Sequence, residues 1–240
     1  MFSSGDIIDF TYNIYFDKET LEKQTLEEIV SDLNLGSFRT KNFNSLTTFF
    51  GKLTTYIPII EFKNKEDHTK LSVFQNKIQF KIASPSNIIQ ITSENDASEK
   101  GMEKLLSKDS LNGISKDVSL VLGVFLGVMH NERRNLKSRV MLRLKKKATP
   151  FNFNQLFIEG ERNSISKGLE NMQVDGLQLT YKEKIFDSEA SSYLRFFYGE
   201  TDAIAELNTK MENGMVVDFG EIIDNRLAHI NNMAKTLRKD

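Results

Sequence analysis

The 240-residue sequence contains no cysteine, no tryptophan, three prolines and three histidines. The absence of cysteine excludes disulfide bonds, thiolate metal sites and cysteine nucleophiles, and it favours a cytoplasmic setting. No basic segment followed by an apolar run stands near Met1, so we expect no signal peptide. The longest apolar stretch, Val118–Met129, is shorter than the roughly 20 residues of a membrane span, so we expect no membrane partner.

The overall composition is that of a globular protein, with 39% hydrophobic and 27% charged residues. The length suits one large domain or two small ones. We interpret residues 1–95 as an N-terminal half, residues 96–116 as a polar linker or loop, and residues 117–240 as a C-terminal half. The two halves can also pack as a single domain.

Period-two alternation of apolar and polar residues predicts strands at 6–16, 72–82 and 138–145, and a hairpin of 177–186 with 193–198. Helical spacing predicts a short helix near 102–106, a helix over 201–214 and a terminal helix over 221–237. The valine-rich segment 118–130 is interpreted as two short strands meeting near Gly123. This mixture predicts an α+β fold, mostly antiparallel sheet with helices packed on it, and it allows two related halves.

A concentrated basic segment is the strongest signal in the sequence. Residues 133–158 contain no Asp or Glu but eight Lys or Arg, which leaves 24 basic and 33 acidic residues in the rest of the chain. Local positive potential of this kind attracts phosphates or an acidic partner even when the total charge is near zero. The candidate binding residues are Arg133, Arg134, Lys137, Arg139, Arg143, Lys145, Lys146 and Lys147.

The basic segment is predicted to be a strand with one buried and one cationic face. Apolar residues alternate there with Arg139, Arg143 and Lys145, so these three share one face. Phe151, Phe153 and Phe157 follow closely, and exposed aromatic rings of this kind can stack on nucleic-acid bases. The alternative is that the cations form a solvated face or pair with acids elsewhere in the chain, the phenylalanines being core.

Histidine offers two candidate pairs for chemistry. His130 and Glu132 stand two residues apart, which on a strand places both on the same face, where they could share a metal or a proton. Arg226 and His229 stand three apart on the predicted terminal helix and so share a helix face. We interpret this second pair as a solvated helix surface, because its spacing is shorter than the arginine–four–histidine pattern of some ribonuclease toxins.

Carboxylates allow one alternative function, a metal-dependent nuclease. Asp175 precedes a predicted strand that carries Glu183 and Lys184. A nuclease strand needs its carboxylate and lysine two residues apart so that both side chains point at one metal, whereas Glu183 and Lys184 are adjacent and point to opposite faces. No other motif indicates a catalytic residue, a metal site or a cofactor, and we predict none. An enzyme therefore requires carboxylates that converge only in the fold.

One segment resembles known proteins. The run from Ile114 to Val121, followed by Gly127–Asn135, is similar to a stretch of uncharacterised bacterial proteins from mobile and phage-defence gene clusters. The resemblance implies a strand, a turn and a second strand ending in a polar tail. It also implies a context, that of an accessory protein in a bacterial or phage conflict system.

The sequence therefore predicts a non-enzymatic binding or accessory component of a defence assembly. Its basic strand would contact a protein partner or nucleic acid. The alternatives are the nuclease-type enzyme and a structural subunit of a homo-oligomer, since self-association is also expected.

Overall fold

The protein is described here from a computed structural model. The structure describes residues 1–16, 33, 35–38, 40–43, 58, 60–64, 69–74, 76–83, 106–128, 136–147, 176–198, 202–212 and 218–236. Predictions that fall on Arg133, Arg134, the three phenylalanines 151, 153 and 157, His130, Glu132 and Asp175 lie outside these residues.

Nine strands and two long helices make up the regular structure of the described residues. A 3-10 turn, Ser4–Asp6, precedes the first strand. The N-terminal elements are β1 (Ile7–Tyr15), β2 (Thr40–Phe43), β3 (Ile60–Lys63), β4 (Thr69–Val73), β5 (Lys77–Ala83) and α1 (Lys108–Val128). The C-terminal elements are β6 (Lys137–Lys147), β7 (Gly176–Ile185), β8 (Ser188–Tyr198), β9 (Asp202–Met211) and α2 (Phe219–Thr236).

All nine strands form one antiparallel sheet in the order β2-β3-β4-β5-β1-β6-β9-β8-β7. Among the described elements, residues 7–128 and residues 137–236 each supply one central strand, then a meander that returns to pair with it, then a helix, so that α1 crosses the boundary after residue 116 that the sequence predicted for the start of the C-terminal half. The halves join through β1 and β6, where Tyr12 lies opposite Val140. The predicted α+β class is confirmed, and the two halves follow the same plan.

The structure corrects the prediction for residues 108–128. Residues Lys108–Val128 form one helix, whereas 108–116 were predicted to lie in a polar linker or loop and 118–130 to form two short strands; the short helix predicted near 102–106 lies outside the described residues apart from Leu106. The first strand that the resemblance implied, over 114–121, is therefore wrong, and most of the second lies outside the described residues. The physical reason is a buried stripe at helical spacing, which outweighs the low helix propensity of the valines and glycines. Its members are Leu111, Ile114, Val118, Val121, Leu122 and Phe125.

The predicted helix over 201–214 is also wrong, because Asp202–Met211 is strand β9. Ala203, Ala205, Leu207, Thr209 and Met211 alternate along it and are all buried on one face. The predicted hairpin before it is confirmed, with a tighter turn than expected. Phe186 and Asp187 alone connect β7 to β8, and both have positive φ, as a two-residue hairpin turn of type I′ requires.

Both helices pack on one face of the sheet, and the hydrophobic core lies between the helices and that face. Phe219, at the start of α2, stacks on Phe80 of β5 with ring centroids 4.5 Å apart, and it meets Phe10 and Tyr12 of β1 edge-on. The backbone N–H of Phe219 donates to Ser115 Oγ of α1 over 3.1 Å. The opposite face of the sheet, hereafter the outer face, carries mainly polar side chains. Neither helix of the described residues is long and apolar enough to cross a membrane.

Candidate functional site: the outer face of the sheet

Strand β6 lies near the centre of the sheet and has the predicted two-faced character. Val140, Leu142 and Leu144 are buried against the helices. Arg139 and Arg143 are half-buried on the outer face. Lys145 shares that face and is exposed. The basic strand is therefore placed as its alternation predicted.

The cations of β6 have partners on the neighbouring strand β9. Arg143 Nε lies 2.9 Å from Glu206 Oε1, and Lys145 Nζ lies 3.1 Å from Asp202 Oδ2. Arg139 Nε donates to Asn208 Oδ1 over 2.8 Å, so it meets an amide and not an acid. The alternative in which acids elsewhere in the chain pair with these cations thus accounts for Arg143 and Lys145 but not for Arg139.

The remaining predicted binding residues are distributed differently. Lys137 begins the strand and is exposed. Lys146 lies on the other side of the sheet, where its Nζ donates to the backbone oxygen of Met1 over 2.8 Å and lies 3.6 Å from Asp6. Lys147 is the last residue of the strand, and its side chain is not among those that the structure describes.

Strand pairing collects basic side chains on the outer face that are far apart in the sequence. Among the side chains described on that face, twelve are Lys or Arg and six are Asp or Glu, although the whole chain has a formal charge of −1. The bases are Lys63, Lys70, Lys77, Lys81, Lys137, Arg139, Arg143, Lys145, Lys182, Lys184, Arg195 and Lys210. The acids are Asp9, Glu61, Glu189, Asp202, Glu206 and Glu212.

Two cross-strand rows place like charges side by side. In the first row, Lys63 of β3 lies opposite Lys70 of β4, which lies opposite Lys81 of β5. In the adjacent row, Arg139 of β6 lies opposite Lys210 of β9, and only Ser191 of β8 separates that lysine from Lys182 of β7. These six cations, the cation band, run across the strands of the sheet.

The cation band costs stability in the absence of a ligand, because like charges directly opposite each other on neighbouring strands repel. Acids neutralise part of this charge: Lys81 lies 3.0 Å from Asp9, Lys63 lies 3.7 Å from Glu61, and Lys210 lies 2.6 Å from Glu212. Lys70 and Lys182 have no acidic partner within 4 Å among the described residues. Such an arrangement suits an external polyanion.

A cleft of about 440 Å³ opens on the outer face where the first row continues across β1, β6, β9 and β8, and of the six band cations Lys81 lines it. Thr11 and Asn13 of β1 are buried on this face, at 6% and 4% exposure. The charged groups around the cleft are Asp9, Lys81, Arg143 and Glu206, two of each sign. Other polar and apolar lining comes from Gln79, Met141, Tyr193 and Asn208.

A second polar cluster lies on the helix side, between edge strand β7 and α2. Arg226 is 4% exposed, and its Nη1 donates to Glu183 Oε1 over 2.8 Å. Ser192 Oγ also donates to that oxygen, and the guanidinium donates twice to Asn225 Oδ1. The prediction of a solvated helix surface for Arg226 is therefore wrong, because the helix face it occupies covers Glu183.

His229 belongs to the same cluster. Tyr181 Oη and His229 Nε2 are 2.5 Å apart, and His229 Nδ1 lies 3.9 Å from Glu183 Oε2. Burial lowers the pKa of His229, against the opposing effect of the Glu183 carboxylate. Burial, together with Glu183, raises the pKa of Tyr181 to about 12. A neutral His229 and a protonated Tyr181 fit a structural tie between α2 and the sheet edge.

The low pKa of His229 predicts an acid-sensitive stability. The folded state holds fewer protons on His229 than the unfolded chain, whose histidine pKa is about 6.5, so the free energy of unfolding should fall as pH drops below that value. Chemical denaturation at pH 7.5 and pH 5 measures this fall. The variant His229→Gln should show a smaller one, and identical falls in both proteins would contradict the prediction.

The described residues contain no group of three or more His, Asp or Glu side chains that could hold a metal ion. Glu183 is occupied by Arg226 and Ser192, and Lys184 is exposed on the opposite face of β7, as the sequence predicted. Among the described residues, the nuclease alternative thus receives no support from Glu183.

The sequence-based site omitted most of the cation band. Lys63, Lys70, Lys81, Lys182 and Lys210 come from five separate strands, and only strand register shows that they are neighbours. The alternation of these lysines with buried residues indicates locally that they lie on the outer face, but it does not indicate that they are neighbours of one another. Comparisons with models of protein families, with curated proteins and with solved structures give no match for this chain.

Proposed function

We propose that the protein is a binding component that holds the phosphate backbone of a nucleic acid on the outer face of its sheet. The cation band is the observation that carries this proposal. Phosphate contacts supply affinity without a catalytic group, and several Lys or Arg side chains in a continuous track suffice for them.

The dimensions of the cation band suit an extended polyanion. It reaches from β3 to β7, eight adjacent strands of the sheet. At about 4.8 Å between strands, the track is roughly 34 Å long. Binding sites for single strands span roughly 4–16 nucleotides per domain, so this track holds a short oligonucleotide.

An acidic protein is the second candidate ligand, and the salt bridges on the outer face favour it. Asp202 and Glu206 show that carboxylates reach the basic strand at 3.1 and 2.9 Å. A partner protein could make the same contacts with Lys70 or Lys182. The cations of the band stand in two adjacent rows that together cross the sheet in one direction, and this still suits a phosphate backbone better, because its charges recur regularly along one axis.

The wider role is part of the proposal. The resemblance of residues 114–135 to proteins of phage-defence gene clusters supports an accessory role in a bacterial or phage conflict assembly. In that setting a nucleic-acid-binding subunit would bring the assembly to its target. A protein partner and self-association remain predictions.

The binding test removes three band cations that do not line the cleft. The triple variant Lys70→Ala, Lys182→Ala and Lys210→Ala should bind a fluorescent single-stranded oligonucleotide about tenfold more weakly at low salt. Its plot of log affinity against log salt should flatten by about 2, since each lost phosphate contact on a single strand removes about 0.7. Fluorescence anisotropy across a salt series measures both quantities.

The matched control removes three exposed lysines from the helix side, Lys108→Ala, Lys116→Ala and Lys235→Ala. It makes the same change in net charge and should leave affinity and salt slope unaltered. Equal losses in both triple variants would show attraction by total charge alone and would refute a defined track. If poly-glutamate displaces the oligonucleotide at equal charge concentration, the acidic-protein ligand is favoured.

A further inference from the structure

The cleft beside the first cation row differs from the cation band in its charge. Asp9 is paired with Lys81 at 3.0 Å, and Glu206 is paired with Arg143 at 2.9 Å. The two acids and two bases around the cleft therefore cancel. Because these charges cancel, a phosphate gains little electrostatic attraction from the cleft, whereas an uncharged group is neither attracted nor repelled by a net charge there.

The cleft offers an aromatic wall and a polar floor. Tyr193 of β8 is half-buried, and its hydroxyl donates to Gln178 over 3.1 Å, which fixes the ring at the margin of the cleft. Met141 is 40% exposed nearby. Asn208 lies between these two side chains in the same cross-strand row, so the ring and the accessible thioether line the two sides of one cleft, which suits a flat, apolar surface such as the face of a nucleobase.

Amide groups in the cleft have hydrogen-bonding capacity left over. Asn208 uses its Oδ1 to accept from Arg139, which leaves both Nδ2 protons without a described partner. Gln79 uses Nε2 to donate to Asn13 over 2.8 Å, which leaves its Oε1 as an acceptor. Donors on one side and an acceptor on the other match the mixed edges of nucleobases.

We infer that the cleft holds one unstacked base, and that the ligand of the cation band is consequently single-stranded nucleic acid. This inference rests on the proposed function. The backbone follows the band, and a base turns inward against Tyr193. A duplex keeps its bases stacked and paired, so it would have to extrude one to fill the cleft. The volume of about 440 Å³ lies in the range of pockets that enclose small molecules, about 300–1,000 Å³.

The closing experiment compares two substitutions at one position. Tyr193→Phe keeps the ring and should bind a fluorescent RNA of about 12 nucleotides within a few-fold of the unaltered protein. Tyr193→Leu removes stacking and should weaken binding roughly 5- to 150-fold, since base–aromatic stacking is worth that much per base. The salt slope should stay the same in both variants, because neither touches a phosphate contact. Thermal melts followed by circular dichroism confirm that both variants fold.

A duplex of the same sequence completes the test. Single strands should bind at least tenfold more tightly than the duplex at matched phosphate concentration, and 2-aminopurine in the single strand should change its fluorescence on binding. Equal affinity for duplex, or no loss in Tyr193→Leu while the triple lysine variant is weakened, would overturn the inference and leave the proposed function standing. No binding of any oligonucleotide at low salt would overturn both.

Discussion

Removing one partner of the buried Glu183–Arg226 pair should lower the free energy of unfolding by about 3–5 kcal/mol. The side chains of Arg226 and Glu183 are only 5% and 14% exposed, so the partner left behind keeps a poorly solvated charge. In Arg226→Met, the Glu183 carboxylate retains the hydrogen bond from Ser192 and, among the basic groups of the described residues, has none closer than His229 Nδ1 at 3.9 Å. For a chain of this length, a loss of 3 kcal/mol corresponds to a fall in Tm of roughly 6–12 °C.

A double variant separates the ion pair from the packing around it. Glu183→Leu with Arg226→Met replaces both charges by apolar groups of similar volume, and such replacements are often neutral or stabilising. The free energy of unfolding of the double variant should therefore be far closer to that of the unaltered protein than is that of either single variant. Lys210→Ala, which breaks an exposed pair with Glu212, should change stability by less than about 1 kcal/mol. Single-variant losses as small as that of Lys210→Ala would show that the buried pair does not hold α2 to the sheet.

Local patterning was enough to predict the central part of the outer face. The alternation of Val140, Leu142 and Leu144 with the cations of β6 is a property of the eight consecutive residues 138–145, and it does not depend on which strands β6 pairs with. The cation band could not be predicted in this way. Lys63, Lys70 and Lys81 become neighbours only through the registers of β3, β4 and β5, which depend on turns and on burial across the sheet.

The two wrong secondary-structure predictions have opposite causes. In α1, the β-branched valines favour strand and the three glycines disfavour helix locally, and the helical stripe becomes clear only when Leu111 and Ile114 are joined to the valines. In β9, Ile204, Leu207 and Met211 fall at helical intervals, while the true alternation depends on Ala203 and Ala205, whose small side chains give a weak signal. Tertiary packing decided both segments.

The same limit applies to the cluster around Glu183. Arg226 and His229 were correctly placed on one helix face, but a charged residue is solvated by default, so the sequence indicated an exposed surface. Glu183 stands 43 residues away from Arg226 in the chain. Its position as the buried partner follows from packing of α2 against an edge strand, which no local pattern reports.

Truncating Phe219 should reduce stability as much as breaking the buried ion pair, for a different reason. Phe219 is fully buried, and its ring contacts Phe10, Tyr12 and Phe80. Phe219→Ala loses these contacts and leaves a cavity, for which losses of about 3–5 kcal/mol are typical. Since Phe219 belongs to α2 and its partners to β1 and β5, the substitution removes contacts that join the C-terminal half of the chain to the N-terminal half.

The matched control is Leu120→Ala on α1, where the side chain is 46% exposed. That substitution should change the free energy of unfolding by no more than about 0.5 kcal/mol, as surface substitutions usually do. Chemical denaturation measures both variants. Phe219→Leu should fall between Phe219→Ala and the unaltered protein, because it fills more of the volume but loses the stacked ring on Phe80. If Phe219→Ala unfolds at the same denaturant concentration as Leu120→Ala, α2 does not depend on this contact, and the joining of the halves must then rest on the backbone pairing of β1 with β6.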